Sequence, residues 1–366
     1  MQLRRSVLLA LLIIFFILFE THSCSEDRSV EPEPPMTVKN ELLGANDIYF
    51  VDADHGWVVG RMGTALLSDD GGDTWIPVTI DDIDVRGVHF SDPLNGWAVG
   101  REGKLYASTD GGHSWERQIF TGYPQLDDLF EVRFVNDTAG FILGYHGVFV
   151  TEDGGNDWVN NWLPIVEYRG AWSMTVVDED CAFLMGSRWT DSDPELLYVT
   201  EDGGARWDAV PGSNASVLRG IVTIEFHDRQ TGWAGGGTVM KTEDGGRTWT
   251  TQVETSTVRE FFIHDGLNVV GVGKSSILLT DDGGATWTDV SPVDERISDL
   301  RAVHFTDRSN GWAAGTGREE MVEGRMISYT VVLRTDDGGL TWSIREFAYE
   351  TTGLEAEATE DLPVPM

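Results

Sequence analysis

The octapeptide Ser68-Asp69-Asp70-Gly71-Gly72-Asp73-Thr74-Trp75 decides how this chain is read, because it returns six more times. The further copies run 108–115, 151–158, 200–207, 242–249, 280–287 and 335–342, and every one keeps Asp-Gly-Gly and closes on Trp. The chemistry of the motif is that of a turn. The Asp can bond amides of its own loop, the glycines reach φ > 0, and the leading Ser or Thr adds another local bond. The Trp then packs back over the hairpin as an apolar plug. Asp70, Asp110, Asp153, Asp202, Asp244, Asp282 and Asp337 are therefore expected to be structural. No downstream Glu stands at EF-hand spacing, so no metal is expected, and no cofactor motif accompanies the repeats.

Working outward, a second element precedes each octapeptide. It is clearest as Phe50-Val51-Asp52 leading to Gly56-Trp57-Val58-Val59-Gly60, and as Phe90-Ser91-Asp92 leading to Gly96-Trp97-Ala98-Val99-Gly100. It returns near Phe134, Phe226 and Phe305, with degenerate versions in the fourth and sixth repeats. Each repeat thus holds four short apolar or alternating runs between turn signals, which predicts antiparallel strands. In the second repeat they fall at 87–90, 97–100, 104–108 and 115–119. A period of roughly forty residues is the size of one four-stranded propeller blade. The prediction is an all-β, seven-bladed propeller over residues 43–348. A ring removes the two open edges of a linear array. The first and last repeats each supply four strands of their own, which leaves the mode of closure open.

The octapeptides resemble Asp boxes, the BNR-repeat folding motif of sialidase-like propellers. Gly-Trp-x-x-Gly or a degenerate version of it, followed by Ser/Thr-x-Asp-Gly-Gly-x-x-Trp, seven times over, resembles the photosystem II assembly and stability factors. That resemblance covers Leu43 to Phe347. It implies a non-catalytic, membrane-associated scaffold that binds an assembly intermediate of a membrane protein complex. Two enzyme families share the Asp box. Sialidases have six blades and an Arg-Ile-Pro segment that this chain lacks, and xyloglucanase-type glycosidases pair two propellers where this chain has length for one.

Outside the repeats, Met1 to Ser23 reads as a signal peptide: Arg4 and Arg5 precede an almost wholly apolar run from Val7 to Phe19, too short for a membrane anchor. Ser23-Cys24 resembles a bacterial lipoprotein cleavage site, although Thr21 stands where that pattern prefers an aliphatic residue. Lipidated Cys24, followed by an acidic, Pro-rich tether to residue 42, would hold the protein outside the cytoplasm at a membrane surface. Ser25, rather than Asp, points to the outer membrane where the host has two. Cys181 reads as a buried free thiol, and residues 349–366 as an acidic disordered tail. The net charge of -35, from 61 acidic and 26 basic residues, disfavours nucleic acid as a partner. A monomer is expected.

In so acidic a chain the positions of the few arginines carry information. Counted back from the last residue of each first strand, Arg86, Arg259 and Arg301 share one register, just before the innermost strand. Arg169 and Arg219 share another, three residues earlier. Propeller topology gathers these around one mouth of the central channel. The turns after the second strands open on the same face and carry Arg61, Arg101, Arg188, Lys274 and Arg318. The expectation is a basic mouth, opposite the Asp-box carboxylates, that binds acidic protein segments by bidentate Arg contacts. The plain alternative pairs these arginines with Glu102, Glu260 and Asp299 as ordinary solvated surface.

An acidic glycan is the alternative ligand. A sialidase-like hydrolase would need carboxylates in the same mouth, for which Glu131, Glu225, Glu260 and Tyr168 are the candidates. A carbohydrate-binding surface would use Trp162, Trp172 and Trp189. His89 and His304 share a strand register, which suggests packing. The insertion Thr316 to Ser328 reads as a mobile loop over the mouth.

Overall fold

The structure, a computed structural model, describes residues 44–347 apart from 82, 121–126, 163–169, 187–195, 214–215, 275 and 323–324. The signal peptide, Cys24, the tether, the tail, Tyr168, Arg169, Arg188 and Trp189 lie outside the described residues.

Seven four-stranded antiparallel sheets follow one another along the chain, each with its strands in sequence order. The first strands are Ala45–Phe50, Val85–Phe90, Leu129–Phe134, Ala171–Val176, Ile221–Phe226, Val258–Ile263 and Ile297–Phe305. These pack against one another in cyclic order, the last against the first, and so form the innermost ring of a seven-bladed β-propeller. Burial follows position in the blade. The second strands, such as Gly56–Gly60 and Gly96–Gly100, are buried at every residue, while the outermost strand Ile76–Thr79 is mostly exposed.

The two repeated motifs meet between neighbouring blades. Trp57, on the second strand of blade 1, stacks on Phe90 of blade 2 at 3.4 Å and donates its indole N–H to the Gly111 carbonyl at 2.8 Å. Trp312 of blade 7 repeats this on blade 1, stacking on Phe50 at 3.6 Å and donating to Gly71 at 2.9 Å. Ring closure therefore uses the ordinary blade-to-blade contact, with no strand exchanged between the ends. A Gly opens five of the seven second strands and makes room for the ring: a Cβ on Gly56 would lie 2.3 Å from Phe50. In blade 4 Phe183 takes the Trp position and stacks on Phe226 at 3.8 Å.

Each Asp box joins the third and fourth strands. In the first, Ser68 Oγ accepts the Gly72 N–H at 2.8 Å and Asp70 Oδ1 accepts the Thr74 N–H at 2.7 Å. The Thr74 hydroxyl donates to Asp70 Oδ2 at 2.7 Å. Gly71 and Gly72 sit at φ 73° and 86°, where a side chain is strained. Blades 3 and 4 lack the hydroxyl arm because Asp157 and Arg206 stand at the Thr position. These bonds hold the Asp110 and Asp282 carboxyls at about 2. Cys181 is buried and free, and burial pushes its thiol up to about 11.

The insertion in blade 7 differs from the expected loop. Its strands, Gly311–Val322 and Arg325–Thr335, stay paired through Glu319↔Ser328 and Met321↔Met326 to Val322↔Arg325. Met321, Val322, Met326 and Ile327 are strand formers, and their ladder extends the blade as a hairpin. The charged residues interleaved with them gave the stretch its loop-like composition.

Candidate binding mouth and channel

Antiparallel order puts the start of each first strand and each second-to-third turn on one face. The Asp boxes lie at the opposite ends of the strands. On the entry face, each first strand shifts register by one residue against its neighbour at an equivalent position, and that of blade 7 shifts once more, between Ile297 and Asp299. The shifts fall at Ala45/Asp47, Val85/Gly87, Ala171/Ser173, Ile221/Thr223, Val258/Glu260 and Leu300/Ala302, with the equivalent in blade 3. A bulge inserts one extra residue and re-aims its side chain. In ring order the extra residues are Asn46, Arg86, Phe130, Trp172, Val222, Arg259 and Arg301. The three register arginines are thus bulge residues, within the strand rather than before it.

Neighbouring bulge residues touch. Arg301 Nη1 donates to Asn46 Oδ1 at 3.1 Å, the Arg86 guanidinium lies 4.7 Å from the Phe130 ring centre, and Phe130 lies 6.1 Å from Trp172. Carboxylates accompany the cations. Arg86 pairs with Asp128 at 2.8 Å, Arg259 with Asp299 at 2.6 Å, and Arg301 approaches Asp299 at 3.5 Å. Arg101 lies 3.6 Å from Asp84 and 3.9 Å from Asp128, and Arg318 pairs with Glu346 at 3.1 Å. Arg61, Arg219 and Lys274 stand on the same face outside these ion pairs. Glu102 reaches Lys104 at 3.8 Å, and Glu260 bonds elsewhere.

A second tier lies deeper in the channel and centres on Arg133, which the register of the other arginines does not reveal. Its guanidinium meets Glu131 at 3.0 Å, Glu260 at 3.3 Å and Asp47 at 3.9 Å. Burial disfavours its charge, but Glu131, Asp47, Glu260 and Glu225 outweigh that and hold it above the usual guanidinium range. One cation cannot neutralise four carboxylates. Burial, then Glu131, pushes Glu225 up to about 8 despite Arg133. Burial, then Asp47, raises Glu260 well above the carboxylate range, and burial raises Asp47 and Glu131. His304 is held down to about 3 by burial and Arg133, and His89 is lowered by the same two causes. Tyr49 stacks between the two imidazoles at 4.5 and 4.6 Å.

The hydrolase candidates Glu131, Glu225 and Glu260 do come together here, and their bonds say what they do. Asp47 accepts the Val88 N–H of blade 2 at 2.9 Å, and Glu260 the Val303 N–H of blade 7 at 2.8 Å. Glu131 accepts the Met174 N–H of blade 4 at 3.4 Å, and Ser173 the Ile224 N–H of blade 5 at 3.1 Å. A side chain of one blade thus satisfies an edge amide of the next blade's innermost strand. Among the described residues no group of His, Cys, Asp and Glu is arranged to hold a metal ion. No described helix is long and apolar enough to cross a membrane.

A single ring of seven Asp-box blades, with a mixed-charge mouth and a stapled channel, defines a seven-bladed Asp-box β-propeller. Residues 35–120 and 123–255 match the family described as Photosynthesis system II assembly factor YCF48, and the chain belongs to that family. It is similar to the Photosystem II stability/assembly factor HCF136, chloroplastic, of Guillardia theta, 52% identical over 40 residues. It is also similar to the Photosystem II assembly lipoprotein Ycf48 of Synechocystis sp., 33% identical over 82 residues. These stretches cover 10% and 22% of this chain and the same shares of the two relatives. The solved structure described as YCF48 bound to D1 peptide has the same fold, at TM-score 0.61 and 20% identity. The match covers 81% of this chain and 94% of that one.

Two features of this face escaped the sequence reading. Arg133 stands one residue before Phe134, in an ordinary-looking strand. The full bulge column was legible four residues before each strand end, but a search for arginine alone stops at three of its seven members.

Proposed function

We propose that this protein is a non-catalytic assembly factor, held outside the cytoplasm by lipidated Cys24, that grips an acidic segment of a membrane protein at its entry-face mouth. The observation that carries the reading is the gathering of Arg86, Arg259 and Arg301, from blades 2, 6 and 7, onto the bulges of one rim, with only Asn46 of blade 1 between Arg301 and Arg86. Each guanidinium has five donors, and one carboxylate neighbour leaves several for a partner. The ion pairs hold the arginines in place, and their side chains, 26–37% exposed, stay within reach of a partner. The channel carboxylates act as blade staples in this reading and have no hydrolytic role. A relative's lipoprotein name and another's bound D1 peptide support the anchor and the partner class.

Affinity capture from host membranes tests this, using the mature protein and its Arg86→Glu/Arg259→Glu/Arg301→Glu variant. A defined membrane complex retained by the wild type and lost by the folded variant is the expected result. Equal capture by both refutes the mouth. Turnover of an acidic glycan, abolished by Glu260→Gln, would replace the scaffold reading with a hydrolase.

A further inference from the structure

The seven bulge residues are not distributed at random around the ring. Blades 6, 7, 1 and 2 contribute Arg259, Arg301, Asn46 and Arg86, a continuous polar and cationic arc. Blades 3, 4 and 5 contribute Phe130, Trp172 and Val222, a continuous apolar arc. Trp172 is 52% exposed and Val222 43%, although both belong to innermost strands whose neighbouring residues Ala171, Met174 and Ile224 are buried. Tyr145, on the second-to-third turn of blade 3, extends the arc and stands edge-on to Trp172 at 6.2 Å. The Arg86 guanidinium lying over Phe130 joins the two arcs at one seam.

Exposed aromatic surface beside fixed guanidinium groups has a specific consequence. A chain carrying only carboxylates would satisfy the cationic arc and leave Trp172 and Val222 in water. An apolar side chain carried next to those carboxylates would cover them. A large aromatic held rigid at a channel rim, its backbone fixed by a bulge, loses little entropy on contact.

We propose that the mouth is a two-part recognition ring for an extended acidic peptide segment bearing an apolar side chain beside its carboxylates. The carboxylates seat on Arg86, Arg259 and Arg301, and the apolar side chain on Phe130, Trp172 and Val222. This inference rests on the binding reading above and adds the determinant of specificity. The cationic arc attracts acidic segments in general, and the apolar arc chooses among them.

The test measures binding of labelled peptides by fluorescence polarisation. The probes are a short peptide alternating Glu with Phe, its Phe→Asn counterpart, its Glu→Gln counterpart and a neutral β-glucan oligosaccharide. Trp172→Ala/Val222→Asn is expected to weaken the Glu/Phe peptide roughly tenfold, the effect of losing one buried apolar side chain. It should leave the Phe→Asn peptide unchanged, and Trp172→Phe should restore much of the loss. Both residues are exposed, so the variant's thermal midpoint should stay near that of the wild type.

If the apolar variant binds every peptide as the wild type does, while the arginine variant loses them, the two-part ring is wrong and the binding reading stands. If the arginine variant binds unchanged, the binding reading falls and this inference falls with it. Binding of the oligosaccharide alone, lost in Trp172→Ala, overturns the inference in favour of a glycan surface.

Discussion

Replacing Glu225 with Gln should make the protein more stable at alkaline pH and leave it nearly unchanged at acid pH. Glu225 faces the channel, accepts the Thr175 hydroxyl at 2.9 Å and shares Arg133 with three other carboxylates. Its carboxyl is pushed up to about 8 in the fold from an ordinary 4.5. The folded state therefore binds this proton more tightly than the unfolded chain. The stability gained is complete below about pH 4.5 and is lost as the pH rises through about 8. Raising a carboxyl over that interval corresponds to at most about 5 kcal/mol, and channel solvent reduces the expected effect to about 1–3 kcal/mol. Gln keeps the acceptor for Thr175 and never ionises. Urea unfolding of both proteins from pH 5 to pH 9 should give stabilities that lie close at pH 5, separate progressively as the pH rises and run parallel above about pH 8, with the variant more stable. Coincident curves throughout, or a variant weaker at pH 8, would refute the reasoning. The second outcome would mean that Glu225 is an ordinary ionised partner of Arg133.

Arg133→Met should destabilise by about 3–5 kcal/mol at neutral pH, because it strands buried carboxylates, and by less at pH 5 where they protonate; unfolding at the two pH values checks this. Trp57→Phe keeps the stack on Phe90 but loses the bond to Gly111, at an expected cost of about 1 kcal/mol in denaturant unfolding. Gly56→Ala forces a methyl into the Phe50 ring and should cost about 1–3 kcal/mol in the same assay. In a Cys24→Ser background, Cys181 should resist thiol labelling at pH 8 until the chain unfolds.

The sequence disclosed what is local and repeated. The Ser or Thr and the Asp that build an Asp box bond within its own eight residues, so its pattern is printed seven times and the blades can be counted. The coupling of Trp57 to Gly111 is also repeated, and its two halves appear as separate motifs whose contact only the ring reveals. The channel is different. Asp47, Glu131 and Glu260 stand three residues before their strand ends and Arg133 and Glu225 one residue before, at positions where other blades carry residues as different as Gly, Ser, Thr, Ala, Tyr, His and Phe. Each of these two columns changes residue type from blade to blade, so neither stands out in the sequence, and their charges are meaningful only once the innermost strands converge. The mouth falls between these cases. Its column recurs in every repeat, but the division into cationic and apolar arcs depends on which blades are neighbours. In the closed ring blade 7 adjoins blade 1, which makes the cationic arc continuous.

On the proposed reading the protein meets its partner at the entry face, on its ring of bulges. Site-specific photo-crosslinking in host membranes tests it most directly, with one probe replacing Arg259 on the entry face and another replacing Thr286 in an Asp box. The account predicts a discrete crosslink to a membrane protein from position 259 and none from position 286. A partner captured from position 286 alone would contradict it.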